Sequence, residues 1–251
     1  MRRLSALLFV ALMVPVTGFA SGNVKHLRQQ HWAFDGVFGK PDKPSIQRGL
    51  QVYREVCAAC HGLNRVAFRS LMDVGFSEAE VKTMAAEYSI KDGFNDEGEM
   101  VERSGRLSDK FPSPYANEKI ARAAQNGAYP PDLSLIIKAR HDGPNYVYSL
   151  LTGYTDAPAD MTMGANMNYN PYFSGEQIAM SAPLKDGTVT YQDGTEATID
   201  QMAHDVVNFL QWAAEPEMEQ RKRMGIRVIL FLTIMTGFFY AAKKRIWKDI
   251  H

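Results

Sequence analysis

The chain has 251 residues, 45% of them hydrophobic and 22% charged. That composition suits one or two folded domains and excludes collagen-like, low-complexity and wholly disordered chains; two cysteines are too few for a disulfide-built scaffold. The formal charge of zero hides a division. Residues 221–251 hold eight basic residues and one acid, and residues 1–20 hold two basic residues and no acid, which leaves 18 basic against 27 acidic residues over 21–220, the wrong sign for a nucleic-acid binder.

In chain order, Arg2 and Arg3 precede a short apolar run, Leu4 to Val16, and then Gly18, Phe19 and Ala20. This is the pattern of a cleavable export signal over 1–20, too short to cross about 30 Å of hydrocarbon and of bacterial rather than mitochondrial type. Ser45 to Val56 is expected to be helical, with Ser45 as cap and Ile46, Gly49, Leu50 and Tyr53 on one face. Ser77 and Glu80 form a capping box for a helix reaching about Tyr88. Residues 89–115 lack periodicity and carry Asp92, Asp96, Glu97, Glu99 and Glu102, so a long acidic surface loop is expected. Asn117 opens a helix that Gly127 closes, Asp132 is expected to cap a short helix to about Arg140, and Pro144 to Leu151 forms another. Residues 152–183 look irregular. Asp193-Gly194 between Thr188–Tyr191 and Glu196–Thr198 signals a β-hairpin, and Thr198 with Gln201 opens an amphipathic helix carrying Met202, Val206, Phe209, Leu210 and Ala213. Beyond Pro216, the apolar run Ile226 to Ala242 lies between Arg221-Lys222-Arg223 and Lys243-Lys244-Arg245. Basic clusters at both ends fit a membrane span better than a core helix, with Arg227 near enough to one end to reach the headgroups and Tyr240 and Trp247 suited to the interface. The expected organisation is a signal at 1–20, an exported domain at 21–220 and an anchor with a short cytoplasmic tail at 221–251. That is one pass through a bacterial inner membrane with the domain on the periplasmic side.

Both cysteines fall in Cys57-Ala58-Ala59-Cys60-His61. Two thiols at this spacing can add to the vinyl groups of one haem, and the adjacent histidine can ligate its iron. The competing reading, an exported thiol–disulfide oxidoreductase, wants a strand before the motif and a helix after it; here a helix comes before and Gly62 follows at once. A single motif means one covalent haem c, which disfavours di-haem peroxidases. Spacing leaves the second axial position open among the 13 methionines and His26, His31, His141 and His204. The irregular stretch 158–183, with Met161, Met163, Met167 and Met180, is a natural ligand loop.

Several strings resemble one family. Gln51 to His61 (QVYREVCAACH), Asn95 to Met100 (NDEGEM), Arg122 to Ser134 (RAAQNGAYPPDLS), Tyr146 to Tyr154 (YVYSLLTGY), Asn170 to Phe173 (NPYF), Trp212 to Glu217 (WAAEPE) and Arg221 to Gly225 (RKRMG) are similar, in order, to cytochrome c1, the haem-bearing subunit of the quinol:cytochrome c oxidoreductase, or bc1, complex. The resemblance covers roughly 45–250. It implies a mostly α fold, a cytochrome c-type haem domain with long loops and a small β-hairpin, plus one C-terminal transmembrane helix. It also implies Met180, in QIAMSAP, as the distal ligand, Arg140 as the partner of a haem propionate, and Tyr53 and Tyr146 as residues of the haem surroundings rather than simple core aromatics. Iron held by His61 and Met180 has no open position and passes single electrons. The implied partners are cytochrome b, a Rieske iron–sulfur protein, a cytochrome c as acceptor, and the lipid bilayer. Another membrane-anchored mono-haem cytochrome c, serving an oxidase or a dehydrogenase, is the nearest alternative. The acidic stretch reads equally as a solvated charge run and as a steering field for a basic acceptor.

Overall fold

A computed structural model describes residues 25–248; the expected export signal at 1–20 lies outside the described residues. The fold is mostly helical. Helix α1 spans Lys43–Glu55 and runs into a 3₁₀ turn at Cys57–Ala59; a second 3₁₀ segment covers Phe68–Val74. Then come α2 Glu78–Ala86, strands β1 Ser89–Phe94 and β2 Met100–Ser104, α3 Glu118–Ala124, α4 Gly143–Thr152, the short strands β3 Asn168–Tyr169 and β4 Gln177–Ile178, α5 Ile199–Ala214 and α6 Met218–Ile246. Both pairs of strands are antiparallel.

The expected caps at Ser77, Asn117 and Thr198 are present. Each side chain accepts a backbone N–H three residues on, and Ser77 with Glu80 forms the full capping box. Ser45 is not a cap. It lies inside the first turn, fully buried, and its hydroxyl donates to Asp205 Oδ1 across 2.6 Å. The helix start is set instead by Pro44, whose ring pre-orders the first turn.

Helices α1 and α5 form the centre of the core. Ile46, Leu50, Val52 and Tyr53 of α1 pack with Met202, Val206, Phe209, Leu210 and Ala213 of α5. The two backbones nearly touch at Gly49, where an added Cβ would lie only 2.0 Å from the Asp205 carbonyl oxygen and 2.7 Å from Phe209 Cβ. Around this contact, buried Asp205 accepts from Ser45, from Arg48 Nε (2.9 Å) and Nη2 (3.0 Å), and from Gln201 Nε2 (3.0 Å). A carboxylate taken out of water needs such a full set of donors, because an unpaired buried charge costs several kcal/mol.

Three further expectations are corrected. The acidic loop at 89–115 contains the β1–β2 hairpin, with Ser89 opposite Ser104 and Phe94 opposite Met100. Its strands are almost wholly exposed, so no inside–outside alternation marks them in the sequence. Arg103 holds it from within, paired with Asp92 at 2.9 Å and Asp109 at 2.6 Å. Residues 132–140 form successive turns, not a helix: Ile136 N–H and Lys138 N–H close on carbonyls three residues back, at 3.2 and 3.0 Å, and the start of the stretch is tied down by Leu133 N–H donating to Gly62 O at 2.8 Å. Asp193-Gly194 does turn, with Gly194 N–H donating to Tyr191 O. Its flanks form no ladder, however, since Arg48 takes the Asp193 carboxylate (2.9 Å) and Gln51 donates to Thr190 O.

Helix α6 is one continuous helix from Met218, eight residues ahead of the apolar run. At about 1.5 Å per residue it is about 44 Å long, enough to cross a bilayer. Leu230, Phe231, Phe238 and Phe239 are each more than half exposed along it.

The Gly49 contact gives a direct test. Gly49→Ala should force α1 and α5 apart and destabilise the domain by about 1–3 kcal/mol, the usual cost of overpacking, read as a lower urea midpoint with an unchanged slope.

Candidate functional site

The Cys57–His61 segment is delivered by α1. Its last turn closes with Val56 N–H on Val52 O, and the chain then tightens, with Cys60 N–H (3.1 Å) and His61 N–H (2.9 Å) both donating to Cys57 O. Tyr53, one turn back and buried against Phe111 and Phe209, donates its hydroxyl to the His61 carbonyl at 3.1 Å. It is thus both a core aromatic and a fastener of the motif. The two thiols are not bridged. Cys57 packs against the core, and burial pushes its thiol up to about 12. Cys60 Sγ lies 3.5 Å from Gln125 Nε2, which also donates to Tyr115.

His61 is oriented by a backbone group. Its Nδ1 lies 2.7 Å from Pro131 O. A carbonyl only accepts, so Nδ1 carries the proton and the Nε2 lone pair is left for a metal. Burial lowers the imidazole's proton affinity, against the opposing pulls of the Pro131 carbonyl and Asp132, which keeps the ring neutral, as a ligand must be. Pro131 is itself held: Asp132 accepts from Asn64 N–H at 2.8 Å and from Ser134 N–H at 2.9 Å, while Ser134 Oγ accepts from Arg65 N–H.

A second group of predicted residues gathers around α4. The Arg140 guanidinium is exposed and lies over the Tyr146 ring, 6.0 Å from its centroid, and among the described residues it has no carboxylate partner. Tyr154 lies near Tyr146; burial, with that neighbour, raises its phenol. The Tyr154 hydroxyl donates to Met180 O at 3.0 Å. Met180 is half-buried and follows β4, whose ladder to β3 is tied to α4 by fully buried Asn170, donating to Leu150 O at 2.8 Å. The structure therefore pairs Arg140 with Tyr146 and Met180 with Tyr154, and joins Cys57, Cys60, His61 and Tyr53 through the motif turn.

The residues fit a haem. Two unbridged thiols and a neutral imidazole with a free nitrogen stand on one turn. Half-buried Ile136, Tyr146 and Leu151 pack on the same core as Cys57 and Ala58, as a planar apolar group requires. Of the other sixth-ligand candidates, His204 is stacked on Trp32 at 4.9 Å with its Nδ1 beside Asn208, His26, His31, His141 and Met167 are exposed, and Met161 and Met163 are half-buried like Met180. The bonds made by Pro131, Asp132, Asn170 and Tyr154 are not legible in residue type: Pro131 acts through a carbonyl that every residue possesses, and the strings RAAQNGAYPPDLS, NPYF and YVYSLLTGY contain these residues without showing what they bind.

A model of the Cytochrome C1 family matches residues 32–250. "Cytochrome c1" of Rhodospirillum rubrum is 45% identical over 98% of this chain and 97% of its own length. "Cytochrome c1 1, heme protein, mitochondrial" of Arabidopsis thaliana is 56% identical over 81% of this chain and 66% of that protein. "Cytochrome b/c1" of Bradyrhizobium diazoefficiens is 49% identical over 88% of this chain, which spans 35% of that longer protein.

The hold on Pro131 can be measured. Asp132→Ala removes the acceptor for two backbone N–H groups, so the isolated chain should lose about 1–3 kcal/mol in denaturant unfolding, and Asp132→Asn, which keeps one acceptor oxygen, should lose less.

Proposed function

This chain belongs to the cytochrome c1 family, and on that premise we propose that it is the electron-transfer subunit of a quinol:cytochrome c oxidoreductase, with one covalent haem c on Cys57 and Cys60 and with His61 and Met180 as axial ligands. The observation that carries this reading is His61: its Nδ1 proton is spent on Pro131 O at 2.7 Å, which aims Nε2 at a metal from the same turn that carries both thiols. When bound, the haem supplies one-electron chemistry between ferrous and ferric iron.

The protein's own groups set the terms of that chemistry. His61 stays neutral and fixed in one tautomer. The Met180 thioether favours the reduced metal more than a second imidazole does, and its backbone is steadied by Tyr154. Arg140, which lies over the Tyr146 ring, would offset the charge of a propionate. Tyr53 acts as a positioning residue through the His61 carbonyl. The thiol–disulfide oxidoreductase reading fares badly on the same geometry, because a reactive dithiol needs a thiol whose proton affinity is lowered, and burial drives Cys57 the other way.

Cytochrome b is the partner the family relationship favours, since the two names are joined in the Bradyrhizobium protein. We assign the donor as a Rieske iron–sulfur protein and the acceptor as a cytochrome c, with quinol chemistry left to cytochrome b; alone, the chain turns nothing over. The chain is held by α6 in a bacterial inner membrane, the haem domain on the periplasmic side. The start of the anchor at 221 overlaps the domain, because Lys222 still donates to the carbonyl of Phe34.

Met180→Leu tests the ligand assignment. The swap conserves volume and should cost less than about 1.5 kcal/mol in stability. The low-spin methionine signature of the visible spectrum should disappear and the potential should fall, each 59 mV shifting the one-electron equilibrium about tenfold. The same change at Met161, Met163 or Met167 should leave both unchanged. A normal spectrum in Met180→Leu overturns the assignment.

The charge of the domain generates a second test. Asp96, Glu97 and Glu99 stand exposed around the tip of the β1–β2 hairpin. Electron transfer to a basic soluble cytochrome should slow as salt shortens the screening length to about 8 Å at physiological strength, and neutralising all three acids should flatten that dependence. A rate indifferent to salt points to a tethered acceptor.

A further inference from the structure

The segment ahead of α1 crosses the domain as a strap. Arg28 N–H donates to Ser149 Oγ (2.8 Å), and Trp32 Nε1 donates to Asn145 Oδ1 (2.9 Å), so the strap starts on α4. It ends on α6. Between Phe34 and Gly39 the chain closes into a loop in which Lys40 N–H donates to Ala33 O at 2.9 Å. The Lys222 ammonium sits at its centre, donating to the carbonyls of Phe34 (2.6 Å), Gly36 (2.7 Å) and Gly39 (3.2 Å). The turn demands its glycines: Gly36 has φ +69°, and a Cβ on Gly39 lies 2.0 Å from Asp35 O. With three carbonyls turned inward onto Lys222, the side chains at the tip face out. Val37 is 62% and Phe38 84% exposed, the latter the highest exposure among the large apolar side chains described.

The loop's position gives these two side chains a partner. Lys222 precedes the apolar run at Ile226 by four residues, one helical turn, or about 6 Å along the axis. The chain leaving the loop stays beside α6, where Pro41 and Lys43 line one cleft with Trp212, Arg223, Met224 and Arg227. The cleft thus reaches the first residues of the apolar run. Aromatic and aliphatic side chains at this level partition into the headgroup–acyl boundary; the charges lining the cleft balance, Lys43, Arg223 and Arg227 against Asp73, Glu217 and Glu219, so the contact rests on the apolar tip of the loop. We propose that Val37 and Phe38 form a second, loop-borne contact with the lipid surface, clamped to the anchor helix by Lys222, so that the domain meets the bilayer at two points and cannot swivel freely about α6. This rests on the reading of α6 as a membrane anchor.

The test uses the full-length holoprotein alone in vesicles of phosphatidylcholine and phosphatidylglycerol. Cys57 and Cys60 are consumed by the haem, so Val37→Cys provides a unique thiol for a nitroxide. Phe231→Cys and Glu97→Cys serve as references for lipid and water. At position 37, collisions with oxygen should rise and collisions with a water-soluble nickel chelate should fall, reporting a depth of about 5–10 Å. Adding Lys222→Gln should return the label towards the water reference while leaving the haem spectrum unchanged. Nickel collisions at 37 equal to those at 97, with 231 shielded, overturn the lipid contact while leaving the anchor intact. An unshielded label at 231 overturns the anchor and the contact together. Shielding at 37 that appears only when cytochrome b is reconstituted alongside also overturns the proposal, in favour of a protein partner.

Discussion

Everything in this domain is referred to the close approach of α1 and α5 at Gly49. Because Gly49 has no side chain, the α1 backbone can rest against the Asp205 carbonyl, and Asp205 can gather Ser45, Arg48 and Gln201 around one buried carboxylate. Helix α1 ends at Glu55, two residues ahead of Cys57, so the packing of that helix decides where the cysteines and His61 stand. A rigid crossing is a suitable base for a haem: a site carried on a packed helix end holds its ligands better than one carried on a free loop.

Around that base the ligand side is built largely from main-chain groups. Pro131 O orients His61, Gly62 O is met by Leu133 N–H, and Met180 O is met by Tyr154. Main-chain partners move little and do not titrate. Charged side chains nearer the centre are tied down, Asp205 by Ser45, Arg48 and Gln201 and Asp132 by Asn64 and Ser134; those at Arg140 and on the hairpin held by Arg103 lie further out, where charge can act on a partner.

The domain is also coupled to its anchor at more than one point. Glu215, just ahead of Pro216, accepts from Lys138 at 2.8 Å and pairs with Arg221 in the first turn of α6. Lys222, one residue further, holds the strap loop. The turns that follow Pro131 and the first turn of α6 therefore meet on a single carboxylate.

The sequence by itself determined the features that depend on neighbours along the chain. The CxxCH motif, the caps at Ser77, Asn117 and Thr198, the amphipathic α5, the acidic middle and the apolar α6 are all local patterns of residue type, and the resemblance to cytochrome c1 was legible in strings of this kind. Tertiary structure alone decided the roles that depend on distant partners. Ser45 looked like a cap and became a donor to Asp205, 160 residues away. Asp132 looked like the start of a helix and became the brace of Pro131, because its second oxygen is taken by Asn64. The β1–β2 hairpin was invisible because exposed strands need no alternation. The acceptor that orients His61 is a backbone carbonyl, and a carbonyl leaves no mark in a sequence until the fold brings it within 2.7 Å of a ring nitrogen.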